Sequence, residues 1–480
     1  MAAKKTDGGT GGEDVYPGIQ AERVQHLNDH DEPTGPDDAD GRYVLYWMQQ
    51  SARASFNHAL EFAIHRANDL ELPLLVAFGL MDDYPDANAR HYRFLLEGLA
   101  DVEAELGKRD IAFVLQKGEP AAVAERLAKD AALVVVDRGY LRHQRQWRED
   151  VASSVGCAVV QVESDVVVPV ELVSDHAEHA ARTIRPKITQ HLDRFLVPLR
   201  ATRLQNTTKP RVSGEDLSDL DALLGSLTID HSVPPVPLFT GGTTEGLKVL
   251  RAFLKNRFST YEKNRNQPQT DDVSHMSKYL HYGQLSPVQI ALEIKKHSGS
   301  NADAYLEELI VRRELPMNFV FYEKRYDSYA AIPDWAKKTL NEHKADERKN
   351  AYTRSQLEKA QTHDEYWNAA MREMVHTGYM HNYMRMYWGK KIIEWSSSPE
   401  TAFRTTLYLN NKYFLDGRDA NSFANVSWLF GTHDRGWTER PVLGKVRWMS
   451  AGGLESKAKP KEYVEKVDRL VEQVEAESED

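Results

Sequence analysis

Between Met380 and His433 the chain reads MHNYMRMYWGKKIIEWSSSPETAFRTTLYLNNKYFLDGRDANSFANVSWLFGTH. Met380, Met384, Tyr387, Trp388, Ile392 and Trp395 follow a three-and-four spacing, which places them on one helical face. Trp388 and Trp395 are seven residues apart, about 10.5 Å at 1.5 Å rise per residue. Two indoles at that interval can pass an electron. The periodicity is equally that of an apolar core stripe, so spacing alone leaves both readings open. The helix is expected to stop near Ser396 to Ser398, with Ser398 as N-cap and Pro399 opening the next helix. DGRDAN, Asp416 to Asn421, follows as a polar turn of residues that bond their own backbone.

Upstream lie residues suited to holding an anion. Ser274 and Ser277 in VSHMSKYLHYG offer hydroxyls near a helix start, where free backbone amides attract negative charge, and Arg265 in YEKNRNQP adds a cation. Taken alone, the two serines read as N-caps. Glu308 in EELIVRRELPMNF would ordinarily be a surface carboxylate. Arg312, Arg313, Arg435, Arg440, Lys445 and Arg447 are cations that suit a phosphate-binding face or an ordinary solvated one.

These residues need two kinds of scaffold. Strands are expected at Tyr43 to Trp47, Pro73 to Gly79, Ile111 to Gln116, Leu133 to Asp137 and Ala158 to Glu163. Helices alternate with them around Phe56 to Asn68, Ala89 to Leu106 and Pro120 to Lys129. That alternation implies a doubly wound parallel sheet covered on both faces. No GxGxxG follows the first strand, so an ordinary dinucleotide fingerprint is absent. From Glu245 the pattern is helical, with Leu247, Leu250, Leu254, Phe258 and Tyr261 on one face. The division is therefore a disordered acidic leader over 1–42, an α/β domain over 43–170, a surface connector over 171–244, an all-α domain over 245–453 and a charged tail over 454–480.

At 480 residues two domains are the prior. No apolar run approaches the roughly 20 residues that span a bilayer, and MAAKKTDGG lacks the apolar core of a signal peptide. The single cysteine, Cys157, excludes an internal disulfide framework and a cysteine zinc cluster, which suits a reducing cytoplasm. Of the net charge of −11, the leader carries −6 and the tail −4, leaving −1 for the body. A nearly neutral body can carry a basic face.

HNYMRM, YWGKKIIEW, LDGRDAN and SWLFGTHDRGW, in this order and spacing, resemble the flavin-binding core of the photolyase and cryptochrome superfamily, specifically the class II cyclobutane pyrimidine dimer photolyases. The resemblance runs from about Val44 to about Ser450. It implies FAD, active when reduced, and light-driven repair of pyrimidine dimers in UV-damaged DNA by an enzyme expected to work as a monomer. A deazaflavin or folate antenna outside the carboxyl ends of the strands is a further expectation. Tyr261, Arg265, Ser274, His275, Met276, Ser277, Asn382, Arg385, Asp416 and Asp419 correspond to cofactor-facing positions. Arg385 and Asp416 are expected to pair, and Asn410 to face flavin N5. Glu308 corresponds to the carboxylate that contacts the dimer. Val311 stands where many photolyases of other classes have Trp, so stacking on the dimer falls mainly to Trp428. The electron path is expected to run from Trp395 at the surface through Trp367 to Trp388. Arg312, Arg313, Arg435, Arg440, Lys445 and Arg447 are expected to grip DNA, with Trp437 as a wedge. A blue-light signalling protein that keeps the flavin and lacks repair is the alternative the resemblance leaves open.

Overall fold

The computed structural model describes residues 12–479. Eight strands occur among them: β1 Asp14–Tyr16, β2 Ile19–Gln20, β3 Val24–His26, β4 Tyr43–Trp47, β5 Leu74–Leu80, β6 Ala112–Lys117, β7 Ala131–Asp137 and β8 Ala158–Val162. The six-stranded sheet has the order β3-β8-β7-β4-β5-β6. β4 to β8 are parallel, and β3 runs antiparallel along the β8 edge. Four helices cross over between the parallel strands: α1 His58–Asp69, α2 Ala89–Gly107, α3 Pro120–Ala128 and α4 Arg142–Ser154. The period of two in β4 divides its side chains between two cores. Val44 and Tyr46 pack with Leu60 of α1 and Leu99 of α2. Tyr43, Leu45 and Trp47 pack with Val123 of α3 and Val151 of α4. The chain reverses direction in the sheet between β4 and β7, the place where open α/β sheets leave a crevice.

Two expectations change here. The part of the leader that is described, 12–42, is ordered: it supplies β1, β2 and β3, while residues 1–11 lie outside the described residues. Its composition misled because its anchor is a cation. Arg23 is buried, donating to the carbonyls of Glu163, Val166 and Val167. The tail is likewise structured, as helix Pro460–Glu479. It buries Tyr463 and Val467 beside helix Glu365–Thr377, and Tyr463 donates to Glu373. Helix α4 was missing from the strand and helix reading because RHQRQWREDVASS carries too few apolar residues to announce itself.

Beyond a connector containing short helices such as Ala181–Thr189, the named elements among the described residues are all helices joined by loops. Helices Glu365–Thr377, Asn382–Trp395, Pro399–Tyr413 and Ala420–Leu429 pack around an aromatic core. Ser398 caps its helix as expected, accepting from the Thr401 amide at 3.1 Å, with Pro399 as first residue. The two regions are pinned by charge. Arg313 reaches Asp165 at 2.9 Å, and Arg53 donates to the carbonyls of Gly283 and Ser164. Burial pushes the Asp165 carboxyl up to about 6, against the pull of both arginines.

Candidate functional site

Helix Asn382–Trp395 positions most of the site. Arg385 makes a two-point pair with Asp416, at 3.0 and 3.1 Å, and its guanidinium lies 3.9 Å from the Phe414 ring centroid. Burial alone would raise the Asp416 carboxyl. The Arg385 charge, with hydrogen bonds from Arg385 and Ser277, holds it below the usual carboxylate range. A buried charge persists only with such partners. DGRDAN is therefore no solvated turn: Asp416 and Arg418 are buried, and Arg418 takes a left-handed φ of 65°. Asp419 caps helix Ala420–Leu429 by accepting from the Ser422 amide at 2.7 Å. Asn410 is buried one turn before the end of its helix and donates to Asn411 Oδ1 at 3.0 Å. Asn382 is exposed in the first turn of its own helix.

The anion-holding segment folds over this pair. Ser277, exposed, opens the short helix Ser277–His281. Ser274 accepts from the Tyr305 hydroxyl at 2.9 Å, and Met276 and Tyr261 are buried. His275 adopts φ 56° with Nε2 3.0 Å from Asp271 and Nδ1 unpartnered. Lys278 is a buried cation the sequence reading passed over: it donates to the His275 carbonyl and lies 3.6 Å from the Phe239 centroid. Burial pushes its ammonium down to about 7, opposed by Asp416. SKYL offered one signal, a lysine set among residues of an apolar stripe.

Glu308 lies in a π-helical segment, Glu307–Arg312, a rare geometry that concentrates at functional sites. Its partner is Arg265, at 2.7 Å, so the cation expected beside a phosphate stands beside this carboxylate. Two expected DNA-gripping residues, one at the end of this segment and one just after it, are engaged elsewhere. Arg313 is buried against Asp165, which removes it from any DNA-facing surface, and Arg312 pairs with Glu307 at 3.1 Å while remaining half exposed.

The three tryptophans expected to form an electron path come together. Trp367 donates its indole N–H to the Trp388 carbonyl at 2.9 Å, and the Trp367 and Trp395 centroids are 5.5 Å apart. Trp395 is not itself a surface residue. Only 2% of it is exposed, behind Tyr352 and His363, whose centroids lie 5.3 and 5.4 Å away. Trp388 leaves its Nε1 without a protein partner, as does His381 its Nε2.

A second aromatic group lies at the partly buried margin of this core and beyond it. Trp428 is half-buried, with Lys390 at 5.1 Å and Arg447 at 5.7 Å from its centroid. Arg447 also lies 5.1 Å from Trp437, which Arg435 approaches at 5.4 Å, and Arg440 lies 4.0 Å from Trp448. Trp437 is 40% exposed. The segment folds back on itself through backbone bonds from Trp437 to Lys445 and between Arg440 and Gly444, and it buries Val442 and Leu443 at its tip. Arg435, Arg440 and Lys445 are left exposed.

A separate cavity opens at the carboxyl ends of β4 and β5. Trp47, Phe78, Tyr84 and Trp147 line it from the sheet side, and Tyr282 and Arg418 from the helical side. Trp47 Nε1 and Arg418 Nε face no protein partner. Among the described residues no group of three or more His, Cys, Asp or Glu side chains is arranged to hold a metal, and no helix is long and apolar enough to cross a membrane.

A sheet with a crevice at its strand ends, joined to a helical body with a buried Arg–Asp pair beside a cluster of buried indoles, is the architecture of photolyases and cryptochromes. Solved structures share it. A class III photolyase from Agrobacterium tumefaciens superposes with a TM-score of 0.68 at 18% identity, covering 89% of this chain and 86% of that one. A cryptochrome from Synechocystis gives 0.64 at 15%, covering 89% and 99%. The DNA photolyase family profile matches residues 44–205. Among curated relatives, deoxyribodipyrimidine photo-lyases from Methanothermobacter thermautotrophicus and Oryza sativa are 48% and 40% identical. The first match covers 95% of this chain and all of the relative, the second 90% and 89%. The chain belongs to the deoxyribodipyrimidine photo-lyase family.

Proposed function

We propose that this chain binds FAD in the helical body and uses it, under light, to split cyclobutane pyrimidine dimers in DNA, as an enzyme of the class II type. The observation that carries the reading is the relay of buried indoles that ends at Trp388. This residue stands three positions from Arg385 and so shares its helix face. The polar lining suits a flavin dinucleotide. Unpartnered nitrogens on Trp388, His381 and His275 are atoms a bound heterocycle or phosphate can satisfy. Ser274 and Ser277 offer hydroxyls to phosphates. The Arg385–Asp416 pair fixes a charge pattern before any ligand arrives, and Asn410 supplies an amide that donates and accepts.

Held by Ser274, Ser277, Arg385, Asp416 and Asn410, a reduced flavin excited by light would supply the electron that opens the cyclobutane ring, and return of that electron would leave a carbon–carbon lyase reaction with no overall oxidation. The chain's own residues position and stabilise. Trp428 offers a face for a pyrimidine turned out of the stack, a rotation that a damaged pair makes easier. Glu308 is set to give up its contact with Arg265 and, taking up a proton as it leaves the guanidinium, to donate its O–H to a dimer carbonyl, where it would stabilise negative charge that exists only after the electron arrives. Trp388, Trp367 and Trp395 carry electrons inward, and Tyr352 and His363 form the last layer before solvent. Arg435, Arg440, Lys445 and Arg447 hold phosphates, with Trp437 as the wedge. The cavity at the ends of β4 and β5 is assigned to a planar second chromophore, a deazaflavin or folate.

The test uses anaerobically reduced protein with thymine-dimer DNA. Intact thymines are expected under blue light and none in the dark. Glu308→Ala is expected to lower the repair yield per absorbed photon more than it lowers dimer affinity. A flavin-loaded protein that leaves dimers untouched under light would turn the reading to signalling.

A further inference from the structure

Lys390 exposes 1% of its surface, a rare state for an ammonium. It comes from the middle of helix Asn382–Trp395. Gly389 beside it lets that helix lie against Leu429, since a Cβ at position 389 would fall 2.2 Å from Leu429 Cδ1. The close approach sets Lys390 Nζ 2.5 Å from the Leu429 carbonyl oxygen. Leu429 ends its helix, where carbonyls have no partner within the helix. The same nitrogen lies 5.1 Å from the Trp428 ring centroid. No carboxylate among the described residues pairs with Lys390 directly. Burial pushes its ammonium down to about 7, Asp434 opposing from a distance and Arg447 adding to the push. Methionine would fill the same space without a buried charge to sustain, so the cation calls for a reason beyond packing.

We infer that Lys390 is a positioning residue for the dimer-stacking tryptophan, its ammonium tethering the end of helix Ala420–Leu429 and holding the Trp428 indole from the protein side. A cation against one part of an indole is attracted by the ring's negative face and fixes its tilt. A half-buried ring without that contact can rock, and a rocking ring stacks less well on a pyrimidine. The inference rests on the reading of Trp428 as the stacking residue.

The experiment measures dark affinity of the full-length, flavin-loaded protein for a thymine-dimer duplex and for the same duplex undamaged. The set is wild type, Lys390→Met, Lys390→Gln, Trp428→Ala and the Lys390→Met/Trp428→Ala double variant. Lys390→Gln keeps a donor for the Leu429 carbonyl without the charge, and it serves in place of methionine should that variant fold poorly. Each Lys390 variant is expected to weaken dimer binding about three- to thirtyfold, the range from an exposed to a desolvated cation–π contact. Flavin content and undamaged-DNA affinity are expected to hold, and the loss to vanish in the Trp428→Ala background. Wild-type affinity in Lys390→Gln, an equal loss on undamaged DNA, or an additive loss in the double variant would each overturn the inference. If Trp428→Ala itself binds dimers normally, the stacking reading falls and takes this inference with it. A normal Trp428→Ala loss beside silent Lys390 variants removes this inference alone.

Discussion

Two sets of tryptophans share one helical core and differ in their neighbours. Trp367, Trp388 and Trp395 are buried among apolar and aromatic side chains, in contact with one another or each other's backbone. Trp428, Trp437 and Trp448 sit at the rim, each with an arginine or lysine over its ring. The dry set is suited to moving an electron, because a low-polarity surrounding changes little when an indole gains or loses charge. The cation-flanked set suits an anionic, stacked polymer. The surroundings of one residue type thus differ in the way the two proposed jobs require.

The largest effect is expected in the buried set. Trp388→Phe is expected to keep flavin bound and abolish its reduction by light with an external thiol as donor, while repair by chemically reduced protein survives. Photoreduction at the wild-type rate would show that the buried set is only core. On the wet side the largest effect is expected at Trp428→Ala, a loss in lesion binding of about 1 to 3 kcal/mol, as for a lost base-stacking aromatic. Its photoreduction is expected to be unchanged, and calorimetric titration with dimer DNA measures the difference.

Smaller effects sharpen the boundary. Binding of dimer DNA is expected to weaken with salt at a log–log slope of roughly −0.9 per phosphate neutralised. Arg447→Ala should flatten that slope by about one contact, and an unchanged slope excludes Arg447 from the interface. The least effect is expected at His343, which ties the basic segment down between Asp346 at 2.6 Å and Glu439 at 2.9 Å. The Glu439 and Asp346 hydrogen bonds raise its pKa above the ordinary imidazole value. The charged clasp is thus complete below about pH 6.5 and is lost as pH rises through the raised value. Dimer affinity should decline over that window by less than about twofold, as for an exposed ion pair. His343→Asn should remove the step, which a series of titrations across pH would reveal.

The parallel strands and the caps were legible because their signals are local. Tyr43–Trp47 is a run of apolar β-formers, and Ser398 with Pro399 marks a helix start by chemistry alone. The Arg385–Asp416 pair was legible only through resemblance to a family, since nothing in a spacing of 31 residues announces a contact. Lys278 and Lys390 were passed over because a lysine in a helix reads as surface, and only tertiary packing, such as that at Gly389, buries it. Trp395 looked like a surface terminus because the residues covering it, Tyr352 and His363, come from a loop far back in the chain.

β3 has a consequence for how the molecule avoids its own copies. A sheet edge offers unpaired amides and carbonyls to any passing strand, and on the β8 side that edge is taken by three residues, Val24 to His26, running in the opposite sense. They are held in place by one buried guanidinium, Arg23, fastened to the carbonyls just past the end of β8. The acidic stretch expected from composition to be disordered thus closes the β8 edge with a strand of only three residues, too short to offer much of an edge of its own.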